Sequence, residues 1–343
     1  MIDFMNGEID TRKLANDHLA FINEEYKYSI SASTRTAFRT YEAEDDVSDA
    51  ELEEMVESKK LCTIKFFSGN VVECLFRLND SGLITPENFD TMDTSLSHRC
   101  IIIPGSFYCP GGYFLSSGCR VSEEALVCHY STLYPVLLKL RDTYYGSRSL
   151  NKVQVNHQFY RDDNLVLDNI IFFDYVKYII DDYNPNVFVP RVNNVRISRV
   201  IIGNQPDYSL YLLWAATVKD MTWADTKKIL SETMYNRIDS VLSAATRAGV
   251  TELIIGEFGN EFVEDIKNPT VAKKLGVTNE TIQSDISYFV VTSFIDLLQG
   301  KYLRCFKRVW FATTNENLLS SYRDIASVED DVIAIGEGAT YYE

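Results

Sequence analysis

The residues of this chain best suited to chemistry are two adjacent acids, Glu123 and Glu124, which follow a glycine pair, Gly111-Gly112, at short range. A carboxyl pair suits the cleavage of a glycosidic bond. The reaction passes through an oxocarbenium-like state that needs a proton delivered to the leaving oxygen and a base for the incoming water, and one carboxyl can serve both needs in turn. Glycines help such a site by letting backbone N–H groups approach a ligand, and Gly118 allows a second sharp turn before Ser122. From Ser122 onward the apolar periodicity predicts a helix over 123–141, with both acids in its first turn. Acids placed there also complement the helix dipole without any chemistry, so the pair alone does not separate a site from a solvated helix start.

A second segment with glycines, Gly256-Glu257-Phe258-Gly259-Asn260-Glu261-Phe262, follows a run, Glu252 to Gly256, that reads as a strand. The seven cysteines, at 62, 74, 100, 109, 119, 128 and 305, include no Cys-x-x-Cys pair. Their spacing with His98 and His129 does not fit compact zinc modules, so they read as reduced thiols and no metal is expected. His129 and Cys128 read as packing residues.

Positioning these motifs requires a layered scaffold. Residues 9–27 have the spacing of an amphipathic helix, with Ile9, Leu14, Leu19, Phe21 and Ile22 on its apolar side. Strands are expected at 61–67, 100–103, 196–203, 252–256 and 309–313, extended segments at 170–176 and 188–189, and helices at 70–79, 227–248 and 284–298. Strands separated by helical stretches predict an α/β sheet, and the run Cys100-Ile101-Ile102-Ile103 suits a strand covered on both faces. The stretches 208–220 and 268–285 read as local elaborations.

Taken together, Pro110-Gly111-Gly112-Tyr113, the eight-residue spacer Phe114 to Val121, Ser122-Glu123-Glu124 and the tail Ser131-Thr132-Leu133-Tyr134-Pro135 resemble a known family. It is the microbial-type poly(ADP-ribose) glycohydrolases, a macrodomain family marked by a glycine triplet, a short spacer and Gln-Glu-Glu. Arg12 to Asp17, Arg237 to Leu242 with Leu253 to Gly256, and Phe306 to Thr313, similar to the last strand of the family, extend the likeness along most of the chain.

The resemblance implies a macrodomain-like layered sheet with flanking helices over 59–343. An N-terminal helical extension over 1–58 would dress it, including the acidic stretch 42–57, where Ser48 and Glu51 suit a helix cap. It also implies an ADP-ribose glycohydrolase acting on poly(ADP-ribose) ends or a related ADP-ribosyl bond without a cofactor. Glu124 would be the acid/base, and Glu123 would hold ribose hydroxyls. Gly111, Gly112, Tyr113, Gly256, Phe258, Gly259 and Phe262 would contact the ligand, with 256–262 as its diphosphate loop. Four positions depart from the family pattern: Cys109 replaces Asn, Tyr113 the third glycine, Ser122 Gln, and Glu261 a glycine. Those departures leave two alternatives open, an ADP-ribose reader without turnover and a structural or interaction protein built on the same scaffold.

Composition sets the outer bounds. A chain of 343 residues with 46% hydrophobic content has ample material for a core, and a net charge of −16 argues against a broad nucleic-acid footprint. No run of eighteen apolar residues occurs, and the start lacks the basic and apolar regions of a secretion signal, so an intracellular location away from membranes is expected.

Overall fold

A computed structural model describes residues 11–36, 39–41, 62–78, 99–105, 110–112, 114–115, 122–140, 170–179, 195–204, 208–326 and 332–333. Cys109, Tyr113, the acidic stretch 42–57 and the expected extended segment 188–189 lie outside the described residues. The sheet has eight strands: β1 (Arg39–Tyr41), β2 (Thr63–Ser68), β3 (Arg99–Gly105), β4 (Ile170–Ile179), β5 (Val195–Asn204), β6 (Glu252–Ile255), β7 (Arg308–Thr313) and β8 (Val332–Ile333). Their spatial order is β1-β4-β5-β3-β6-β7-β2-β8. From β5 to β8 the pairing is parallel, whereas β4 runs antiparallel to both β5 and β1. The residues expected to form an N-terminal extension thus also supply an edge strand.

Alternation along each strand divides the core in two. Ile102, Ile201, Ile255 and Phe311 face one layer, and Ile101, Ile103, Val200, Ile202, Ile254 and Trp310 face the other. Helices cover both faces, which is why the central strands read as continuous apolar runs. The first layer is built from α6 (Tyr208–Thr217), α7 (Trp223–Arg247), α8 (Pro269–Leu275), α9 (Asn279–Gln299) and α10 (Glu316–Ala326). The second uses α1 (Thr11–Glu25), α2 (Lys27–Thr36), α3 (Val71–Arg77), α4 (Glu123–His129) and α5 (Leu133–Leu140). The stretches read as elaborations are therefore helical: 208–220 supplies α6, and 268–285 supplies α8 and the start of α9.

Local chemistry sets most helix starts. Asn70 and Glu73 form a reciprocal capping box on α3, Thr222 caps α7, Asn268 with Pro269 opens α8, and Thr278 caps α9. Gly276 closes α8 in the left-handed region at φ 79.

The helix expected over 123–141 is instead two helices, α4 and α5, separated at residues 130–132. Pro135 explains the break. In one continuous helix its ring would strike the carbonyl of Ser131, four residues earlier, and its missing N–H would leave that carbonyl without a donor. In the structure the Ser131 carbonyl faces His18 Nε2 of α1 at 2.9 Å. Ser131 Oγ accepts the Leu133 N–H at 3.2 Å and so starts α5. The stripe of α1 and α2 that docks here is Ala15, His18, Ile22, Tyr26 and Ile30, all buried, at helical spacing.

Candidate functional site

The carboxyl ends of β3 and β6 release two loops that meet at the start of α4. Beyond β3 lie Gly111 and Gly112, both left-handed at φ 71 and 47. Space as well as conformation demands glycine. A Cβ on Gly111 would meet the Tyr134 ring at 2.6 Å, and one on Gly112 would fall on Ser122 Oγ. Ser122 is the N-cap of α4: its Oγ accepts the Ala125 N–H at 3.1 Å and its hydroxyl donates to the Gly112 carbonyl at 3.2 Å. Phe114 backs the turn, with its ring 4.6 Å from His129 and 4.5 Å from Tyr134. Glycine turn and diacid helix are one packed unit.

Glu124 is fully buried, and its Oε1 accepts the Gly111 N–H at 2.8 Å. A carboxyl that served only the helix dipole would stand in water, where it is hydrated at no cost. Burial of a charged carboxylate costs several kcal/mol before its hydrogen bonds are counted. The Cys128 thiol is pushed upward by burial and then by the nearby Glu124 charge.

Glu123 turns toward the other loop. Its Oε2 accepts the Glu257 N–H at 2.8 Å, and its own N–H donates to Glu261 Oε1 at 2.6 Å. Gly256 has no room for a side chain, because a Cβ there would fall on the Glu123 carboxylate. Burial raises the Glu123 carboxyl well above the ordinary range, and the Glu257 and Glu261 carboxylates raise it further, against the weaker pull of the Glu257 N–H.

The 256–262 loop is fixed from several sides. Phe258 is buried in the core, 6.2 Å from the Phe294 ring and close beneath Gly203. Gly259 is left-handed at φ 81, a Cβ there would meet Val290 at 3.0 Å, and the Tyr208 hydroxyl of α6 donates to its carbonyl. The Thr313 hydroxyl, at the end of β7, donates to Glu257 Oε1 at 2.6 Å. Phe262 is left-handed at φ 62, a conformation that costs a bulky residue about 1–3 kcal/mol and persists only where surroundings over-determine it.

Glu123, Glu124, Gly111, Gly112 and Gly256 thus come together in one place, and Gly259 and Phe262 lie on the same loop. Phe258 anchors that loop from the core side. Tyr113 lies outside the described residues. Sequence reasoning missed the roles of Glu257, Thr313, Tyr134 and Tyr208. Thr313 was findable, since it ends a strand parallel to β6 and polar residues at the carboxyl ends of parallel strands face the ligand crevice. Among the described residues, no group of three or more His, Cys, Asp or Glu is placed to hold a metal ion, and no helix is long and apolar enough to cross a membrane.

Compared with models of known protein families and with curated proteins, the sequence gives no significant match. Solved structures do match. The poly(ADP-ribose) glycohydrolase of Thermomonospora curvata superposes with a TM-score of 0.59 at 17% identity, over 92% of this chain and 98% of that one. Its complex with the inhibitor ADP-HPD gives 0.57 at 15% identity over the same shares. The Deinococcus radiodurans glycohydrolase in complex with ADP-ribose gives 0.53 at 17% identity, over 86% of this chain and 96% of that one. The chain has the fold of these bacterial glycohydrolases, a mixed α/β macrodomain-like body.

Proposed function

We propose that the junction of the glycine turn and the 256–262 loop is the ligand site of an ADP-ribosyl glycohydrolase, with Glu124 as its acid/base. In this reading Glu124 gives a proton to the leaving oxygen of a ribosyl bond and then takes one from the attacking water. Glu123 lies beside it on the side of the 256–262 loop and holds ribose hydroxyls. The observation that carries the proposal is the separate fixing of the two acids: Glu124 by the Gly111 N–H, Glu123 by the Glu257 N–H. Acids of a merely solvated helix start do not each receive a backbone donor from a different loop. The ADP-ribose complex of the Deinococcus radiodurans structure supports the ligand class.

The test is release of ADP-ribose from poly(ADP-ribose), with binding followed separately by calorimetry. Glu124→Gln keeps the shape of the side chain but cannot shuttle a proton, so turnover should fall by ~10²- to 10⁴-fold while ADP-ribose still binds. Equal turnover in the two proteins would remove Glu124 from the mechanism. A second reading, a catalytically silent scaffold, is favoured by one contact, the Glu261 carboxylate on the Glu123 N–H. It predicts no turnover and no heat of binding in folded wild-type protein.

A further inference from the structure

Backbone N–H groups in loops that leave the carboxyl ends of parallel strands are natural receivers of anionic groups. At this junction two such donors are already engaged by the chain's own acids. The Glu257 N–H donates to the Glu123 carboxylate at 2.8 Å, and the Glu123 N–H donates to the Glu261 carboxylate at 2.6 Å. The exchange is reciprocal: the start of α4 and the 256–262 loop each supply the other with a carboxylate. Glu261 is only 6% exposed, which removes most of the water that would otherwise screen its charge. The Glu257 carboxylate, tied to the Thr313 hydroxyl at 2.6 Å, holds a further negative group at the same place. An incoming diphosphate would meet occupied donors and like charge.

We propose that Glu261 is a specificity-determining residue: its carboxylate takes a backbone donor that a ligand's anionic group would otherwise use, so diphosphate-bearing ligands, ADP-ribosyl groups included, bind more weakly and enter by displacing it. The idea deepens the reading of this junction as an ADP-ribosyl site and rests on it for the ligand's identity, though not for the effect on anions. Tyr208, which fixes Gly259, and the left-handed Phe262 hold the loop on either side of Glu261, so the carboxylate is presented by a rigid segment. A glycine at 261 would keep the backbone hydrogen bond from residue 261 to the Glu257 carbonyl and remove the carboxylate.

Calorimetric titration of inorganic pyrophosphate and of ADP-ribose into the wild type, Glu261→Gly and Glu261→Gln tests the proposal. Glu261→Gly should bind pyrophosphate at least about tenfold more tightly than wild type, and Glu261→Gln, which keeps the bulk but not the charge, about threefold more tightly. Pyrophosphate affinities within twofold across the folded variants would overturn the proposal. If Glu261→Gly fails to fold, the Gln variant decides by the same threefold criterion. Tighter pyrophosphate with no ADP-ribose binding in any variant would keep the role of Glu261 and end the ADP-ribosyl reading. ADP-ribose bound by all three, with neither ligand's affinity changed more than twofold, would do the reverse.

Discussion

At the scale of single residues, the site is a set of acids whose surroundings differ although their sequence positions are adjacent. Glu123 and Glu124 share one helical turn, yet one faces the 256–262 loop and the other the Gly111 turn. The raised Glu123 carboxyl has a consequence for stability. A carboxyl with a higher pKa in the folded state than in the unfolded state favours folding at low pH. Its contribution is complete below the ordinary value of 4.5 and is lost as pH rises through the folded value. Melting temperatures of wild type and Glu123→Gln measured from pH 5 to 8 should therefore diverge, with the variant gaining on the parent as pH rises. Parallel curves would show that Glu123 is ionised in the folded protein throughout that range.

At the scale of elements, the break between α4 and α5 is what ties the N-terminal helices to the site. Ser131, freed from helical hydrogen bonding by Pro135, meets His18, and His18 lies near His129 at the end of the helix that carries both acids. Burial lowers the His18 pKa to about 4, against the contact with the Ser131 backbone, and burial with the neighbouring His18 lowers His129 to about 3. Both histidines are thus packed in their neutral forms. For a group whose folded pKa is depressed in this way, the unfolded chain takes up the proton first. The stability is full above the ordinary value of 6.5 and falls as pH drops toward about 4. His18 alone should forfeit on the order of 3 kcal/mol over that window, at 1.36 kcal/mol per pKa unit. Acid should loosen α1 before the sheet opens, which hydrogen exchange on α1 amides between pH 7.5 and 4.5 would detect. His18→Gln should flatten that dependence, and an unchanged pH profile in the variant would assign the effect to other groups.

At the scale of the whole molecule, charge is distributed between opposite ends of the sheet. At the amino ends of the central strands Glu252 of β6 bridges Arg99 of β3 and Arg308 of β7, joining three adjacent parallel strands. Burial by itself would raise the Glu252 carboxyl, but the guanidinium of Arg99, and then that of Arg308, outweigh it and hold the carboxyl below its ordinary value. Its contribution is therefore present above 4.5 and lost as pH falls through the lowered value. The 256–262 loop and Thr313 lie at the other ends of β6 and β7, a strand's length from this ion-pair cluster. Glu252→Gln should cost about 2–3 kcal/mol in denaturant unfolding, less than for a wholly enclosed pair because Arg308 is half exposed. Ligand affinity should stay within about twofold, since the change lies a strand's length from the site. A large loss of affinity at unchanged stability would show that the two ends are coupled.

Local rules were sufficient for much of this. Apolar runs with β-branched residues located the parallel strands other than β8, and the helix starts near residues 70 and 123 were legible too, because each depends on neighbours a few residues away. The helix break needed the Pro135 rule, which was available in the sequence but was overridden by the apolar periodicity on either side. What the sequence left undecided was the direction of each acid. Whether Glu261 points to solvent or to the Glu123 N–H depends on a partner 138 positions away in the chain. The same holds for Gly256, whose missing Cβ leaves room for the Glu123 carboxylate at the start of α4, and for Ser131, whose carbonyl meets a helix 113 positions earlier. The first two contacts are set by how β3 and β6 lie side by side in the sheet and the third by the docking of α1 beside α4 and α5, and only the tertiary structure brings these pieces together.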